Sequence, residues 1–227
     1  MPVADCERLV AGWLAQPANA LSSLAFVVVG MLVPIIVRKR SGAHRLVSGA
    51  LGGTMVLVGI GSVAFHGPGG PVSNWIHDAS ITLLLVLIIF WELGLWAGWS
   101  VRRIVNGWMV VSAALLIIEL ARSALGDTLN APLALVAVVG IVGPLVGFPR
   151  IQQPERNKQV LAALGLVATG AVIMVLSRTG GPLCAPDAVI QGHALWHVLV
   201  AIGLGLYAVS VPVRLPVTPS LSPRSGP

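Results

Sequence analysis

Seven apolar runs, each about 20 residues long, dominate the chain of 227 residues and set what it can fold into. They cover Pro17 to Val37, Leu46 to Phe65, Trp75 to Leu95, Ile104 to Leu120, Ala131 to Phe148, Val160 to Ser177 and Gly192 to Val211, and every break between them holds Gly, Pro or charge. Within lipid only helices and closed barrels satisfy their own backbone polar groups, and runs of this length match a helix that crosses the hydrocarbon core. Apolar residues make up 56% of the chain and charged residues 10%. With a mean hydropathy of +0.90, no soluble domain of this size has the interior volume to bury so much apolar surface. The expected fold class is therefore all-α: a seven-transmembrane-helix bundle over residues 1–211, with no length left for a separate soluble domain. Residues 212–227, rich in Pro and Ser, are expected to form a disordered cytoplasmic tail.

A net charge of +6 would suggest nucleic acid in a soluble protein, but here the basic residues sit in the breaks between apolar runs. They act as topology signals, and no nucleic-acid partner is expected. Arg38, Lys39, Arg40, Arg45, Arg102, Arg103, Arg150, Arg156, Lys158, Arg214 and Arg224 fall on one side, against Arg8, Arg122 and Arg178 on the other. The positive-inside rule then places the N-terminus outside and the C-terminus in the cytoplasm, which an odd number of crossings requires. The first residues carry Asp5, Glu7 and Arg8 rather than a basic stretch before an apolar core, so they are not expected to be a cleaved signal peptide. Cys6 and Cys184 both fall on the outer side, where a disulfide is permitted. Two unrelated thiols satisfy the sequence equally, because spacing says nothing about how closely two α-carbons approach.

Chemistry is concentrated at one end of the expected bundle. His66 closes the second run, His77 and Asp78 open the third, and His193 and His197 open the seventh, while His44 stands apart in a cytoplasmic loop. Ionisable groups at membrane depth are costly, so several converging at one depth mark a site. His193 and His197 are four apart and share a helix face at about 6 Å. Alone, that pair fits haem ligation, a proton path or hydrogen bonds to neighbours. A third imidazole from His66 would supply three neutral nitrogen ligands and leave a fourth tetrahedral position for water, the arrangement of a catalytic zinc site. Asp78 then has a role as the carboxylate that takes a proton from that water, its structural alternative being a helix cap. Ser62, one turn before His66, has a role as donor to an oxyanion, its alternative being a bond back to its own helix.

These residues resemble the alkaline ceramidase family, seven-helix membrane hydrolases related to the adiponectin receptors. The resemblance lies in Cys6-Glu7 before the first run, Asn19 and Leu21-Ser22-Ser23-Leu24 opening it, Gly61-Ser62-Val63-Ala64-Phe65-His66, Asp78, and Gln191-Gly192-His193-Ala194-Leu195-Trp196-His197. It implies a zinc ion held by His66, His193 and His197, with Ser62 and Asp78 catalytic, and a ceramide-like lipid as substrate. Eukaryotic members carry an acidic calcium-binding segment around the Cys-Glu pair. Here Arg8 and Leu9 follow Glu7, which argues against a calcium site. Ala79 stands where the family often has Glu, so a thinner carboxylate network is expected. The competing classes are a receptor that uses the zinc structurally, a haem or ion carrier, and a hydrolase of an ester lipid such as a phospholipid.

The remaining polar and small residues have structural roles in this reading. His77 points about 100° away from Asp78 around the helix and is expected to make a supporting or loop contact. Glu119 and Arg122 are expected to pair, unless Glu119 faces the cavity. Glu92 lies about 21 Å along the helix from Asp78, too far to join the site. Trp91, Trp96, Trp99 and Trp108 near one face, and Trp13 and Trp75 near the other, fit interfacial belts, and Gly49 and Gly53 are expected at a close helix contact.

Overall fold

The computed structural model describes residues 5–40, 42–124 and 154–210. Their regular structure is helical: α1 (Pro17–Ser22), α2 (Leu24–Ile36) with a 3₁₀ turn at Val37–Lys39, α3 (Gly42–His66), α4 (Pro71–Ala97), α5 (Val101–Ala124), α6 (Pro154–Leu176) and α7 (Gly192–Ser210). Among the described residues six spans are long and apolar enough to cross a membrane. They coincide with the first four, the sixth and the seventh of the apolar runs. The run from Ala131 to Phe148 and the tail at 212–227 lie outside the described residues.

α3 is the central post. Its span is 56% buried within the bundle, whereas those of α5 and α6 are 17% buried. α2 packs on α3 and α7, α4 on α3 and α5, and α6 on α7. Outward positions such as Val28, Met31, Ile35, Val110, Ile117, Val172 and Val175 remain exposed. An outer surface of this kind suits lipid rather than water.

Glycine sets the closeness of α2 to α3. A Cβ at Gly52 would lie 2.5 Å from the Gly30 carbonyl oxygen, and one at Gly59 would lie 3.0 Å from that of Ser23, so only glycine lets these backbones touch. Gly49 and Gly53 have nothing within 4 Å of such a Cβ, so the expected contact runs through different residues of the same helix. This close approach brings Ser23 of the α1–α2 junction against Ser62 of α3.

Helix ends place the remaining parts. Pro17 and Pro71 open α1 and α4, where a missing N–H costs nothing, and Gly98 closes α4 in the left-handed region at φ 64°. The Glu7 carboxylate accepts the Ala18 and Asn19 N–H groups at 2.6 and 2.9 Å, capping α1 from outside the helix. Trp91 is not an interfacial residue: at 2% exposure it lies in the core. Trp108 is tied inward by donating to the Leu83 carbonyl at 2.9 Å, while Trp13 and Trp96 are exposed as a belt requires.

The segment before α1 is fastened to the loop between α6 and α7. Cys6 and Cys184 form a disulfide with α-carbons 5.5 Å apart, which decides between the two readings of these cysteines. Asp5 and Arg178 form an isolated antiparallel bridge. The Arg8 N–H donates to Pro186 O at 3.1 Å, and the Arg8 guanidinium pairs with Asp187 at 2.6 Å. Gln16 N–H donates to His66 O at 2.9 Å, so this segment, the end of α3 and the start of α7 meet at one end of the bundle.

Candidate metal centre

Two helix ends supply the imidazoles. α3 ends on His66, and α7 begins one residue before His193, with His197 one turn further in. Gln191 pins the start of α7: its amide donates to Ala188 O at 2.7 Å and Ala185 O at 3.0 Å, stiffening the loop that delivers His193. The ring centroids of His66 lie 5.0 Å from His193 and 5.2 Å from His197, and those of the α7 pair lie 4.6 Å apart. One nitrogen from each of the three falls within 4.8 Å of the others. His66 and His197 are buried, at 0% and 3% exposure.

Hydrogen bonds determine which nitrogens face inward. Gln16 Oε1 accepts from His66 Nδ1–H at 2.7 Å, leaving His66 Nε2 bare. That Nε2 is buried and has no hydrogen-bond partner among the described residues. A buried polar atom without a partner costs about 1–3 kcal/mol, and coordination of a cation would remove the cost. His197 Nδ1 lies 2.9 Å from Ser22 Oγ and 3.2 Å from Asn19 O, which again turns Nε2 inward. Three neutral imidazoles are a donor set suited to zinc and its transition-metal neighbours. The residues therefore fit a metal ion, and His66, His193 and His197 are those that would hold it.

Ser62 belongs to the same cluster. Its hydroxyl, 1% exposed as a residue, lies 3.4 Å from His197 Nε2 and 2.8 Å from Ser23 Oγ, which donates to it. It thus bonds across the α2–α3 contact to Ser23. Asp78 is reached less directly. It sits well inside α4, whose cap is Gly70, so it is not a helix cap. Its Oδ1 is 2.9 Å from His77 Nδ1. The His77 ring stacks on Phe65 at 4.6 Å and lies 6.4 Å from the His66 ring. The helix angle alone would send the His77 side chain away from Asp78, yet the two adjacent side chains meet, and His77 connects Asp78 to the edge of the imidazole cluster.

Other residues fall into place around this end. Glu119 accepts a hydrogen bond from Thr82 at 2.7 Å, one turn along α4 from Asp78, rather than only serving Arg122. At the opposite end, Glu92 is the acceptor for the Tyr207 hydroxyl, in keeping with its exclusion from the site. Both Glu7 oxygens accept backbone N–H groups. Sequence reasoning missed Asp5 and Gln16. Asp5 Oδ1 lies 3.3 Å from His193 Nδ1, and its other oxygen 3.9 Å from His66 Nδ1. The available signal was Cys6: pairing it with Cys184 draws its neighbour Asp5 toward the entry to α7. The chain matches no protein-family model and no curated protein, so its chemistry is argued from this geometry.

Proposed function

We propose that this protein is a zinc-dependent intramembrane hydrolase that cleaves the amide bond of a ceramide-like lipid to a sphingoid base and a fatty acid. The observation that carries the proposal is the imidazole trio, with His66 and His197 buried, the bare His66 Nε2, and the Ser62 hydroxyl 3.4 Å from His197 Nε2. A zinc ion held by His66, His193 and His197 would supply Lewis acidity to activate water at the site. Asp78 accepts the proton of the water that attacks the amide carbonyl, then returns it to the departing nitrogen. Ser62 donates to the carbonyl oxygen as negative charge develops there. Ser23 Oγ, 2.8 Å from Ser62 Oγ, braces the Ser62 hydroxyl from the α1–α2 junction, while the single Ser23 proton is shared between Ser62 Oγ and Asn19 O at 2.7 Å. The substrate class comes from the resemblance of the histidine, serine and aspartate segments to the alkaline ceramidases.

The test uses purified protein in lipid discs, offered ceramides of several chain lengths, a phospholipid and an acylglycerol. Equal amounts of sphingoid base and fatty acid, released from ceramide alone and quantified by mass spectrometry, are the expected result. Release from the ester lipids only would make it an esterase, and no release from any lipid would defeat the hydrolase reading.

The proposed topology has seven crossings, with the site facing away from the cytoplasm. α5 ends at the site end of the bundle and α6 begins at the opposite end, and the apolar run Ala131 to Phe148 has the length to join them. The charge asymmetry supports the orientation. Both native cysteines are in the disulfide, so introduced thiols report without background. A cysteine at Gly69 is expected to react with an impermeant reagent on intact cells, and one at Ser100 is not. Labelling of Ser100 alone would reverse the orientation.

A further inference from the structure

We propose that Asp5 is a positioning residue of the metal centre, aiming the inward nitrogen of His193, and that the Cys6–Cys184 disulfide holds it in place. The inference rests on the metal-binding part of the reading above.

Each of the three imidazoles turns its Nδ1 toward an oxygen. For His66 the oxygen is Gln16 Oε1 at 2.7 Å, and for His197 it is Ser22 Oγ at 2.9 Å. For His193 it is the Asp5 carboxylate, at ion-pair distance of 3.3 Å without the alignment of a hydrogen bond, and it is the one carboxylate among the three. An acceptor behind a ligating imidazole fixes the tautomer and ring orientation, and a carboxylate also makes the ring a stronger donor to the metal. The Asp5 side chain is 10% exposed, and its second oxygen lies 3.9 Å from His66 Nδ1. Its oxygens approach the Nδ1 atoms of both rings, and it is outside the cluster of ligand atoms formed by His66, His193 and His197, which makes it a positioning residue and not a fourth ligand.

The short segment around Asp5 has no helix of its own to fix it. It is tied instead at neighbouring points: the Asp5–Arg178 bridge, the Cys6–Cys184 disulfide, and the Arg8 contacts to Pro186 and Asp187. All of these reach the loop that runs into α7 and so into His193. The carboxylate and the ring it faces are thus held to one another through a single cross-linked unit.

The test reads metal retention, not turnover. Zinc-loaded protein is titrated with chelators of graded strength, and thermal unfolding is recorded with and without zinc. Asp5→Ala is expected to bind zinc about 10- to 100-fold more weakly. Asp5→Asn, which keeps the size and one acceptor oxygen, should recover part of the loss. The double variant Cys6→Ser with Cys184→Ser should weaken zinc in the same direction. A merely structural Asp5 would lower the unfolding temperature equally in the metal-free and zinc-loaded protein. A positioning Asp5 shrinks the rise in unfolding temperature that zinc brings. Zinc held by Asp5→Ala as tightly as by the parent overturns the assignment, whatever the cysteine variant does. His193→Ala separates the two levels: if it loses zinc while Asp5→Ala does not, only the role of Asp5 fails. If both keep it, the metal centre fails as well.

Discussion

Asp78→Asn is expected to keep its zinc and lose most of its activity, with ceramide cleavage falling by about 10² to 10⁴. The substitution preserves shape and removes only the ability to accept a proton. Asp78 is outside the imidazole trio, so metal content should not follow activity down. Ser62→Ala should likewise stay folded and zinc-loaded, with a loss of roughly 10² to 10³, the range seen when one oxyanion donor is removed. Because Ser62 is buried against Ser23, the alanine variant leaves one hydroxyl without its acceptor, although Asn19 O at 2.7 Å remains available to Ser23. Fatty-acid release and zinc content measured on the same preparations decide the matter. Ceramide cleaved equally fast by Asp78→Asn would remove Asp78 from the mechanism even with the hydrolase reading intact.

The second large effect is on the metal itself. The parent should carry about one zinc per chain, and His197→Ala or His193→Ala should lose most of it, since two ligands do not hold what three hold. His66→Ala should do the same. That variant also strands Gln16 Oε1, which accepts from His66 at 2.7 Å, so part of its effect will appear as lost stability. His66→Gln, which can still donate toward Gln16, separates the two contributions. Elemental analysis of purified protein reads the outcome. Unchanged zinc in the α7 variants would mean that the pair at positions 193 and 197 is structural and that the bare His66 nitrogen has some other partner.

Much of this protein is legible from the sequence because the governing rules are local. Bilayer thickness sets a run length and the helix sets a period, so Leu46 to Phe65 or Gly192 to Val211 can be recognised without knowing a neighbour. The same period puts His193 and His197 on one face, and the break after His66 puts its ring at a helix end. What decides the site beyond that comes from contacts between residues far apart in the chain. Cys6 and Cys184 are separated by 178 residues, and nothing in their spacing says that they meet. Asp5, the neighbour of Cys6, faces His193 in the same tied segment. Gly52, rather than Gly49 or Gly53, touches α2 because the rotation of α3 is chosen by packing against several helices at once. The same packing draws Trp91 into the core. His77 and Asp78 leave the helix in different directions, yet their side chains meet, because the terminal atoms of flexible side chains are not bound by the angle between their Cβ atoms. Sequence alone determined a helical chain with apolar runs of membrane-crossing length and the gathering of His66, His193 and His197 at one end. The tertiary structure decided which nitrogen of His66 and of His197 faces inward, because a tautomer is selected by the hydrogen-bond acceptor behind it, and that acceptor comes from another part of the chain.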